Sequence, residues 1–529
     1  MYWATWQFLP LLCWYDCINN LINMNNSLQT LRACLSGLIA AQVIATVQVY
    51  LSNRALYQTA KALLEAGYLA VPNALVLPSL LKFGTAVIGG LFFTLSVGAG
   101  LTLLSLAGVW FWVRILKCSR IMLILIFIAW LVLPLVVGAD DSDILVMLYF
   151  IIIPPVVFIA ALNFSKPTLE PKSTLTAYLP GIALFCIVLT WLPLKKDTLF
   201  IDIRDYLLLS NPIGRKINDA YYRYTLYPAQ VFKTLEQKTI KTVDLTQINK
   251  KSLKTGLVNE FLKFDYVPVS DPLVADLHIR ASATELLFQH KNKDILTIPL
   301  QDFMNQPAGT LEKISVLTDR FAFFRMFIAI GVLIAFPVIL YTVFQGLLFR
   351  AGSLFLPPKQ AFLLATLAVF LAGMLPAWPL YLGKTGNADE SEVEMALTSD
   401  LWQKRVSGLR AMANTGKNPA GLPDSTASKI SPHIPERYWY VKAVGNSPDG
   451  RPQELINFLD DSSVNVACMA YEGLGKTGDS HLIEPILTRL KEEDHWYIQW
   501  YAYRALRRIG WRQERLEIKA SRPHTENPS

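Results

Sequence analysis

Residues 83–113 read FGTAVIGGLFFTLSVGAGLTLLSLAGVWFWV, a stretch without one charged side chain. A transmembrane helix needs about 20 consecutive apolar residues, so this stretch is long enough to cross a bilayer with tilt or to project beyond it. It ends in Trp110, Phe111 and Trp112, and Arg114 follows, which is the order of residue types found at a membrane interface. The stretch therefore predicts an α-helical membrane protein.

Further apolar stretches extend this prediction to a polytopic bundle. Five more are long enough to span, at 121–138, 144–164, 175–194, 327–349 and 361–382. A seventh, 33–52, carries Gln42 and Gln48, and it either spans the membrane or lies in the interface. We thus expect an N-terminal membrane region at 1–194, with four clear spans and one possible span, and two more membrane helices within 320–384.

The composition agrees with a membrane class and argues against nucleic acid as a partner. Hydrophobic residues make up 53% of the chain and charged residues 17%, well below the roughly 25% of soluble domains. The net charge is +8, but no run of five Lys or Arg residues occurs. The six cysteines form no CxxC pair, so they predict neither a disulfide framework nor a zinc site.

Between the fourth and fifth clear spans lies a polar segment, 195–319, which is too long and too patterned to be a linker. Its pattern predicts a helix over 205–235 and short strands at 277–281, 285–289 and 295–300. We expect a small soluble α+β insert.

Beyond residue 384 the chain becomes polar, and a repeat follows. Four segments align: WQKRVSGLRAMANTG (402–416), IPERYWYVKAVGNSP (434–448), VNVACMAYEGLGKTG (464–478) and WYIQWYAYRALRRIG (496–510). Their ends recur about every 31 residues, three of them at Gly and one at Pro448, with second helices expected at 452–459 and 482–491. This pattern is typical of an α-solenoid.

The repeat resembles the HEAT-like family, specifically its short phycobilisome-lyase type. The resemblance rests on Arg504-Ala505-Leu506, on Gly510 and on the GKTGD sequence at 475–479, and it covers about 392–513, before a polar tail at 514–529. It implies a solenoid that binds other proteins, since only some members of the family are enzymes.

The last repeat carries the candidate partner-binding residues. Aromatic side chains and Arg are enriched in binding hot spots, and six of these residues are our candidates: Trp496, Tyr497, Tyr501, Arg504, Arg508 and Trp511. Tyr497, Tyr501, Arg504 and Arg508 form one helical stripe, and Trp496, Trp500, Tyr503 and Arg507 form its neighbour. One of the two stripes should pack inward. The simpler alternative is that Trp500 and Tyr503 fill the core and the others cover the end of the solenoid.

Motifs for chemistry are weak. Residues 470–477, AYEGLGKT, approach a phosphate-loop pattern, but they close a helix where such a loop must open one, so we expect no nucleotide binding. The carboxylates of Asp140, Asp141 and Asp143 are interpreted as helix caps and not as a calcium site. The six histidines lack HxxxH and HExxH spacing, and no GxSxG occurs. We assign no catalytic, cofactor or metal residues and expect a protein that is not an enzyme.

The parity of the spans places the insert and the repeats on one side of the membrane. The short loops of the other side hold Arg114, Lys117 and Arg120, among other basic residues, so the positive-inside rule favours an extracytoplasmic position for both soluble parts, at a bacterial inner membrane. The first functional interpretation is a membrane-anchored scaffold or assembly factor that binds a protein partner. The alternatives are a transporter or channel component with the solenoid as docking or regulatory arm, and, third, a membrane enzyme.

Overall fold

The computed structural model describes residues 27–117, 119–137, 144–163, 179–191, 198–282, 284–384, 393–417, 431–448 and 451–514. Asp140, Asp141 and Asp143 lie outside these ranges, as do residues 1–26 and nearly all of the polar tail. Across the described residues the protein is mainly helical, with one five-stranded sheet.

Seven helices of the described residues precede the insert. They are α1 (Ser27–Glu65), α2 (Leu77–Leu80), α3 (Phe83–Phe93), α4 (Ala99–Arg114), α5 (Arg120–Val137), α6 (Ile144–Asn163) and α7 (Leu179–Trp191). A π-helical segment, Thr94–Gly98, joins α3 to α4, so the stretch 83–113 forms one continuous helix. α3–α4, α5 and α6 follow the apolar stretches of the sequence, α1 is much longer than 33–52, and α7 is described over only 13 residues of the predicted span 175–194. Of the predicted spans, α5 and α7 are only shorter apolar helices in the described residues, whereas α1, the possible span, is long enough to cross a membrane.

The two glutamines of α1 lie inside the bundle of apolar helices. The Gln42 amide donates to the carbonyl oxygen of Val87 at 2.9 Å, and its oxygen accepts from the Thr94 hydroxyl at 2.8 Å. The Gln48 oxygen accepts from the hydroxyl of Tyr149 on α6 at 2.9 Å. Each side chain thus has at least one partner on a neighbouring helix, while the Gln48 amide nitrogen has none among the described residues.

The insert contains α8 (Leu199–Ile203), α9 (Pro212–Tyr224), α10 (Leu226–Phe232), β1 (Lys241–Asp244), α11 (Lys251–Lys263), β2 (Tyr266–Pro268), β3 (Leu277–Ala281), β4 (Glu285–His290), β5 (Lys293–Pro299), α12 (Leu300–Asn305) and α13 (Pro307–Leu317). The order in the sheet is β2-β1-β3-β4-β5, with β1 parallel to both neighbours and the remaining pairs antiparallel.

The insert departs from the sequence prediction in two places. The single helix expected over 205–235 is broken, because Asn211 caps a new helix by accepting from the Gly214 N–H at 2.7 Å, and Pro212 occupies its first turn. The three predicted strands are present, but β1 and β2 were not predicted. They are four and three residues long, which is too short to show an alternating pattern.

After the insert come α14 (Ala322–Ile330), α15 (Phe336–Gly352), α16 (Pro358–Met374) and α17 (Ala377–Lys384). A second π-helical segment, Gly331–Ala335, joins α14 to α15 and packs on the first, since a Cβ at Gly331 would lie 2.3 Å from the backbone oxygen of Ser96. Within the described residues, five helices are long and apolar enough to cross a membrane: Gln29–Glu65, Phe83–Val113, Ile144–Leu162, Ala322–Gly352 and Pro358–Tyr381.

The C-terminal region consists of α18 (Val393–Leu397), α19 (Trp402–Thr415), α20 (Ile434–Asn446), α21 (Pro452–Ile456), α22 (Val464–Thr477), α23 (Ile483–Glu492) and α24 (Trp496–Ile509). Gly416, Gly478 and Gly510 end α19, α22 and α24 in the left-handed conformation, which glycine adopts without steric cost. The helix α20, whose segment lacks that glycine, instead ends at Ser447 in extended backbone.

Successive first helices of the four segments pack side by side. A Cβ at Gly445 on α20 would lie 2.6 Å from the Cα of Gly473 on α22, and one at Gly475 would lie 2.8 Å from the Cα of Ala505 on α24. Small residues at these positions let the backbones approach closely, and one hydrophobic cluster runs through all four segments.

The insert and the C-terminal region meet at one end of the bundle. Tyr227 and Pro228 of α10 lie over Gly89 of α3. The guanidinium of Arg325, at the start of α14, donates to the backbone oxygen of Phe232 at 3.0 Å. Asn73, in the loop after α1, bonds to Leu490 on α23 and to Gln499 on α24. The two polar parts of the chain are therefore neighbours.

Candidate functional site

The helix α24 holds most of the candidate residues, and its first turn is covered by the insert. The Trp496 side chain is 8% exposed, and its indole N–H donates to the backbone oxygen of Arg223 at 3.0 Å. The ring of Tyr497 lies 4.6 Å from that of Tyr222 on α9, which leaves Tyr497 half-buried. Both side chains thus contact the protein's own insert.

A buried amide network ties the loop after α1 to α24. The backbone N–H of Asn73 donates to the Gln499 side chain at 2.9 Å, and the Asn73 side chain donates to the backbone oxygen of Leu490 at 2.9 Å. Beyond α24, the Gln513 side chain bonds both the N–H and the carbonyl of Leu69, at 3.2 and 2.8 Å. Buried polar groups are costly unless paired, so this network fixes the helix to the end of the bundle.

A charged clamp joins α24 to the loop between α11 and β2. One oxygen of the Asp265 carboxylate accepts from the Tyr503 hydroxyl at 2.6 Å and lies 2.8 Å from the Arg507 Nε. Arg507 also donates to the backbone oxygen of Lys263 at 2.8 Å. Burial, and next the Asp265 charge, raise the pKa of Tyr503 well above its usual value, so its hydroxyl remains a donor.

A second ionic contact lies between the π-helical segment Arg204–Leu208 and α20. The Asp205 side chain is fully buried, accepting from the Trp439 indole N–H at 2.7 Å and from the Arg204 Nε at 2.8 Å. The Arg204 guanidinium lies 3.8 Å above the ring of Tyr438. The buried carboxylate thus has two donors, one of them cationic, so the contact is specific in its geometry.

His495 caps α24 at its N-terminus. Its Nδ1 accepts from the backbone N–H of Tyr497 at 3.3 Å, so that nitrogen is unprotonated. Burial, and next the charge of Arg223, lower the pKa of His495 to about 4. The cap is consequently neutral at physiological pH.

The outer face of α24 remains exposed. The Arg504 guanidinium lies 4.8 Å from the ring centre of Trp500 and 5.9 Å from that of Tyr501. Both rings are half-buried, whereas Arg504 and Arg508 are exposed. We call Trp500, Tyr501, Arg504 and Arg508 the Arg504 surface; it combines cationic groups with aromatic faces, as binding hot spots do.

The six candidate residues therefore divide into two groups. Trp496 and Tyr497 pack against the insert, and Trp511 is half-buried against the ring of Tyr503 at 5.9 Å. Tyr501, Arg504 and Arg508 lie on the outer face.

Of the two stripes, the one with Trp496, Tyr503 and Arg507 packs inward, while its Trp500 is only half-buried. Sequence reasoning missed Asn73, Gln513 and Asp265, which no local motif marks.

The insert holds one Asp–His pair. The Asp244 carboxylate lies 3.2 Å from the His278 Nδ1 and accepts from both the N–H and the hydroxyl of Thr246, at 2.8 and 2.7 Å. Burial raises the pKa of Asp244, but the bonds from Thr246 and His278 lower it further, to a net value below the usual one. A nucleophilic triad needs its histidine between the hydroxyl and the carboxylate, whereas here the carboxylate lies in the middle.

The phosphate-loop-like stretch lies where the sequence predicted, at the end of a helix. Lys476 is in the last turn of α22, and its ammonium bonds the side chains of Glu472 and Asn446 at 2.9 and 2.6 Å. Across the described residues there is no group of three or more His, Cys, Asp or Glu side chains that could hold a metal ion.

No family model, no curated protein and no solved structure matches this chain. The contacts and exposed surfaces described above are therefore the basis for a functional proposal.

Proposed function

We propose that this protein is a membrane-anchored scaffold or assembly factor that binds a protein partner through HEAT-like repeats and the adjoining insert. Bilayer anchoring is supported by the five long apolar helices, where Ile39 and Val43 are 64% and 61% exposed, and by the apolar helix α5, where Ile121 and Ile124 are 71% and 58% exposed. Such faces are unusual in water but suit lipid. The regular packing of four similar helices, three with the same glycine end, supports a HEAT-like solenoid.

One observation carries the partner-binding role: the exposed guanidinium of Arg504 over two aromatic rings, beside exposed Arg508. Contacts with the insert cover much of α24, whereas these two side chains stay exposed among the described residues. The surface suits a partner segment that brings carboxylates to the guanidinium groups and apolar atoms to Trp500 and Tyr501.

The insert and the repeats share one side of the membrane in this proposal. Their mutual contacts, such as that of Asp265 with Arg507, support this arrangement. The basic short loops at the other end favour an extracytoplasmic position for both, at a bacterial inner membrane. Reporter fusions after Lys293 and after Ser529 should give the same extracytoplasmic signal; two opposite signals would refute the shared side, and two cytoplasmic signals only the orientation.

The partner proposal is tested with the double variant Arg504→Ala/Arg508→Ala. Loss of a hot spot weakens affinity by about 2 kcal/mol, or about 30-fold, so proteins that co-purify with the wild type in mild detergent should be depleted. The control is Lys404→Ala/Lys491→Ala, which removes the same charge from exposed positions elsewhere in the repeats. If both double variants retain the same proteins at the same yield, measured by mass spectrometry, the Arg504 surface is not the binding face.

A second candidate function is a transporter or channel component with the repeats as docking arm. The observation that favours it is a set of buried neutral side-chain groups without hydrogen-bond partners among the described helices: the amide nitrogens of Gln48 and Gln345, and both polar atoms of Asn53. Such groups could contact a polar solute or water. Solute uptake by vesicles that carry the protein, reduced in Asn53→Leu, would support this function over the scaffold role.

A further inference from the structure

The helix α9, with the sequence PIGRKINDAYYRY at 212–224, has an apolar stripe on its surface. Ile213, Ile217 and Tyr221 are spaced four residues apart and therefore lie along one side of the helix. They are 74%, 55% and 57% exposed. Three large apolar side chains in a row on one short helix are a surface that water does not favour.

Another side of α9 is covered by the repeats. The side chain of Asn218 donates to that of Asn465 on α22 at 2.8 Å, and both are buried. Tyr222 packs on Tyr497 of α24. Consecutive residues of a helix are about 100° apart, so the side with Asn218 lies roughly 100° away from the apolar stripe. The stripe therefore lies beside the covered side of α9 and is left uncovered by the repeats.

Both ends of the α8–α10 segment are held at the end of the apolar bundle. Before α9, α8 and the π-helical segment Arg204–Leu208 contact α17, whose first residues complete the last long apolar helix, Pro358–Tyr381. After α9, Phe232 of α10 packs on Phe92 of α3, with ring centres 6.3 Å apart. A helix of 13 residues between two such attachments spans about 20 Å, so α9 runs across the end of the bundle.

We propose that α9 lies in the headgroup layer of the bilayer, with Ile213, Ile217 and Tyr221 inserted at the boundary with the acyl chains. The inference rests on the proposed membrane anchoring of the protein. The repeats cover α9 on the side of Asn218 and Tyr222, and both flanking segments are attached to the end of the apolar bundle, so the membrane surface is the occupant that fits its apolar stripe. Interfacial helices have this combination of an apolar stripe and a polar remainder.

The charges of α9 identify the kind of lipid. The exposed side chains of Lys216 and Arg223 border the stripe on one edge, and the carboxylate of Asp219 lies further around the helix. Lys and Arg at such an edge extend toward phosphate groups while their aliphatic parts stay in the interface. Basic residues near an anionic surface strengthen membrane binding, so α9 should prefer anionic lipid headgroups.

The test measures which quencher reaches fluorescent labels on the full-length protein. Single cysteines at Ile217, Arg215 and Ile124 are introduced after replacement of the six native cysteines, and the protein is reconstituted in phosphatidylcholine vesicles with and without phosphatidylglycerol. Arg215 is the matched control on the polar side of α9, and Ile124 reports the lipid-facing side of α5. Lipid with a nitroxide near its headgroup should quench Ile217 about threefold more than Arg215, and aqueous iodide should do the reverse.

The outcomes separate this inference from the membrane anchoring itself. If Ile124 is quenched by nitroxide lipid but Ile217 behaves like Arg215, α9 is not interfacial and only this inference fails. If Ile217 is shielded from both quenchers, a protein covers the stripe, and the inference is equally wrong. If Ile124 is also inaccessible to lipid, membrane anchoring fails too.

Phosphatidylglycerol should increase the lipid quenching at Ile217, and Lys216→Gln/Arg223→Gln should abolish that increase. A label at Ile213 repeats the measurement should the Ile217 variant misfold.

Discussion

Replacing Asp265 by Asn should loosen the docking of α24 onto the insert. Asp265 has a positive φ of 61°, and Asn tolerates this conformation, so the substitution removes the charge without straining the backbone. One carboxylate oxygen accepts from both Tyr503 and Arg507, and the amide of Asn keeps an acceptor there, but both bonds become weaker without the carboxylate charge.

The magnitude follows from those two contacts. A charge-assisted hydrogen bond contributes about 1.5–3 kcal/mol and a neutral one about 0.5–1.5, so losing the charge from both bonds costs roughly 2–3 kcal/mol. The Asp265 and Arg507 side chains are 20% and 14% exposed, and Arg507 keeps its bond to Lys263, which favours the lower end. We expect about 2 kcal/mol of local stability to be lost, or about 30-fold faster opening of the contact.

Hydrogen exchange of the full-length protein in detergent measures this opening for the amides of 496–509. The control is Asp460→Asn, since Asp460 is paired with Arg489 but 72% exposed, and such surface pairs contribute less than about 1 kcal/mol. If Asp265→Asn changes the exchange of α24 no more than Asp460→Asn does, the clamp does not hold the helix.

Three further predictions address other features. The pKa of His495 is lowered to about 4 in the folded state, so between pH 4 and about 6.5 the unfolded state binds more protons than the folded state. The helix α24 should therefore lose stability as the pH falls from 7 to 5. His495→Asn retains a cap and should make α24 less sensitive to acid, as measured by hydrogen exchange corrected for intrinsic rates. Gly331→Ala should destabilise the bundle by about 1–3 kcal/mol, because the added Cβ would clash with the backbone of Ser96. Gly108→Ala, where the added Cβ meets open space, is the control and should leave the melting temperature in detergent unchanged. Adding ATP should leave the melting temperature of the wild type and of Lys476→Ala unchanged, and an ATP-dependent rise confined to the wild type would contradict our interpretation of residues 470–477.

The elements that the sequence predicts well are those with a local cause. The apolar stretch 83–113 is a continuous helix because every residue in it favours burial or lipid. The ends of α19, α22 and α24 follow from single glycines, and the different end of α20 follows from the missing one. The positions at which these helices end can therefore be predicted from a few residues.

The contacts that define the candidate site have no such local cause. Asn73 and Gln499 are 426 residues apart, and neither lies in a motif. The aromatic residues of α24 did indicate a surface that needs a cover, but composition cannot distinguish a separate partner from another part of the same chain. Here Tyr222 and Asp265 provide part of that cover. Only three-dimensional proximity separates Trp496 and Tyr497, which face the insert, from the exposed Arg504 surface.

The bonds between Asn73 and the C-terminal residues have a consequence for biosynthesis. A ribosome makes Asn73 417 residues before Leu490 and 426 residues before Gln499, so water is the partner of this amide until those residues have emerged. Contacts between distant residues also form slowly, since a long loop must close first. Docking of α24 therefore follows synthesis of the insert and of the apolar helices, and until then the amide of Asn73 stays hydrated at the end of the bundle.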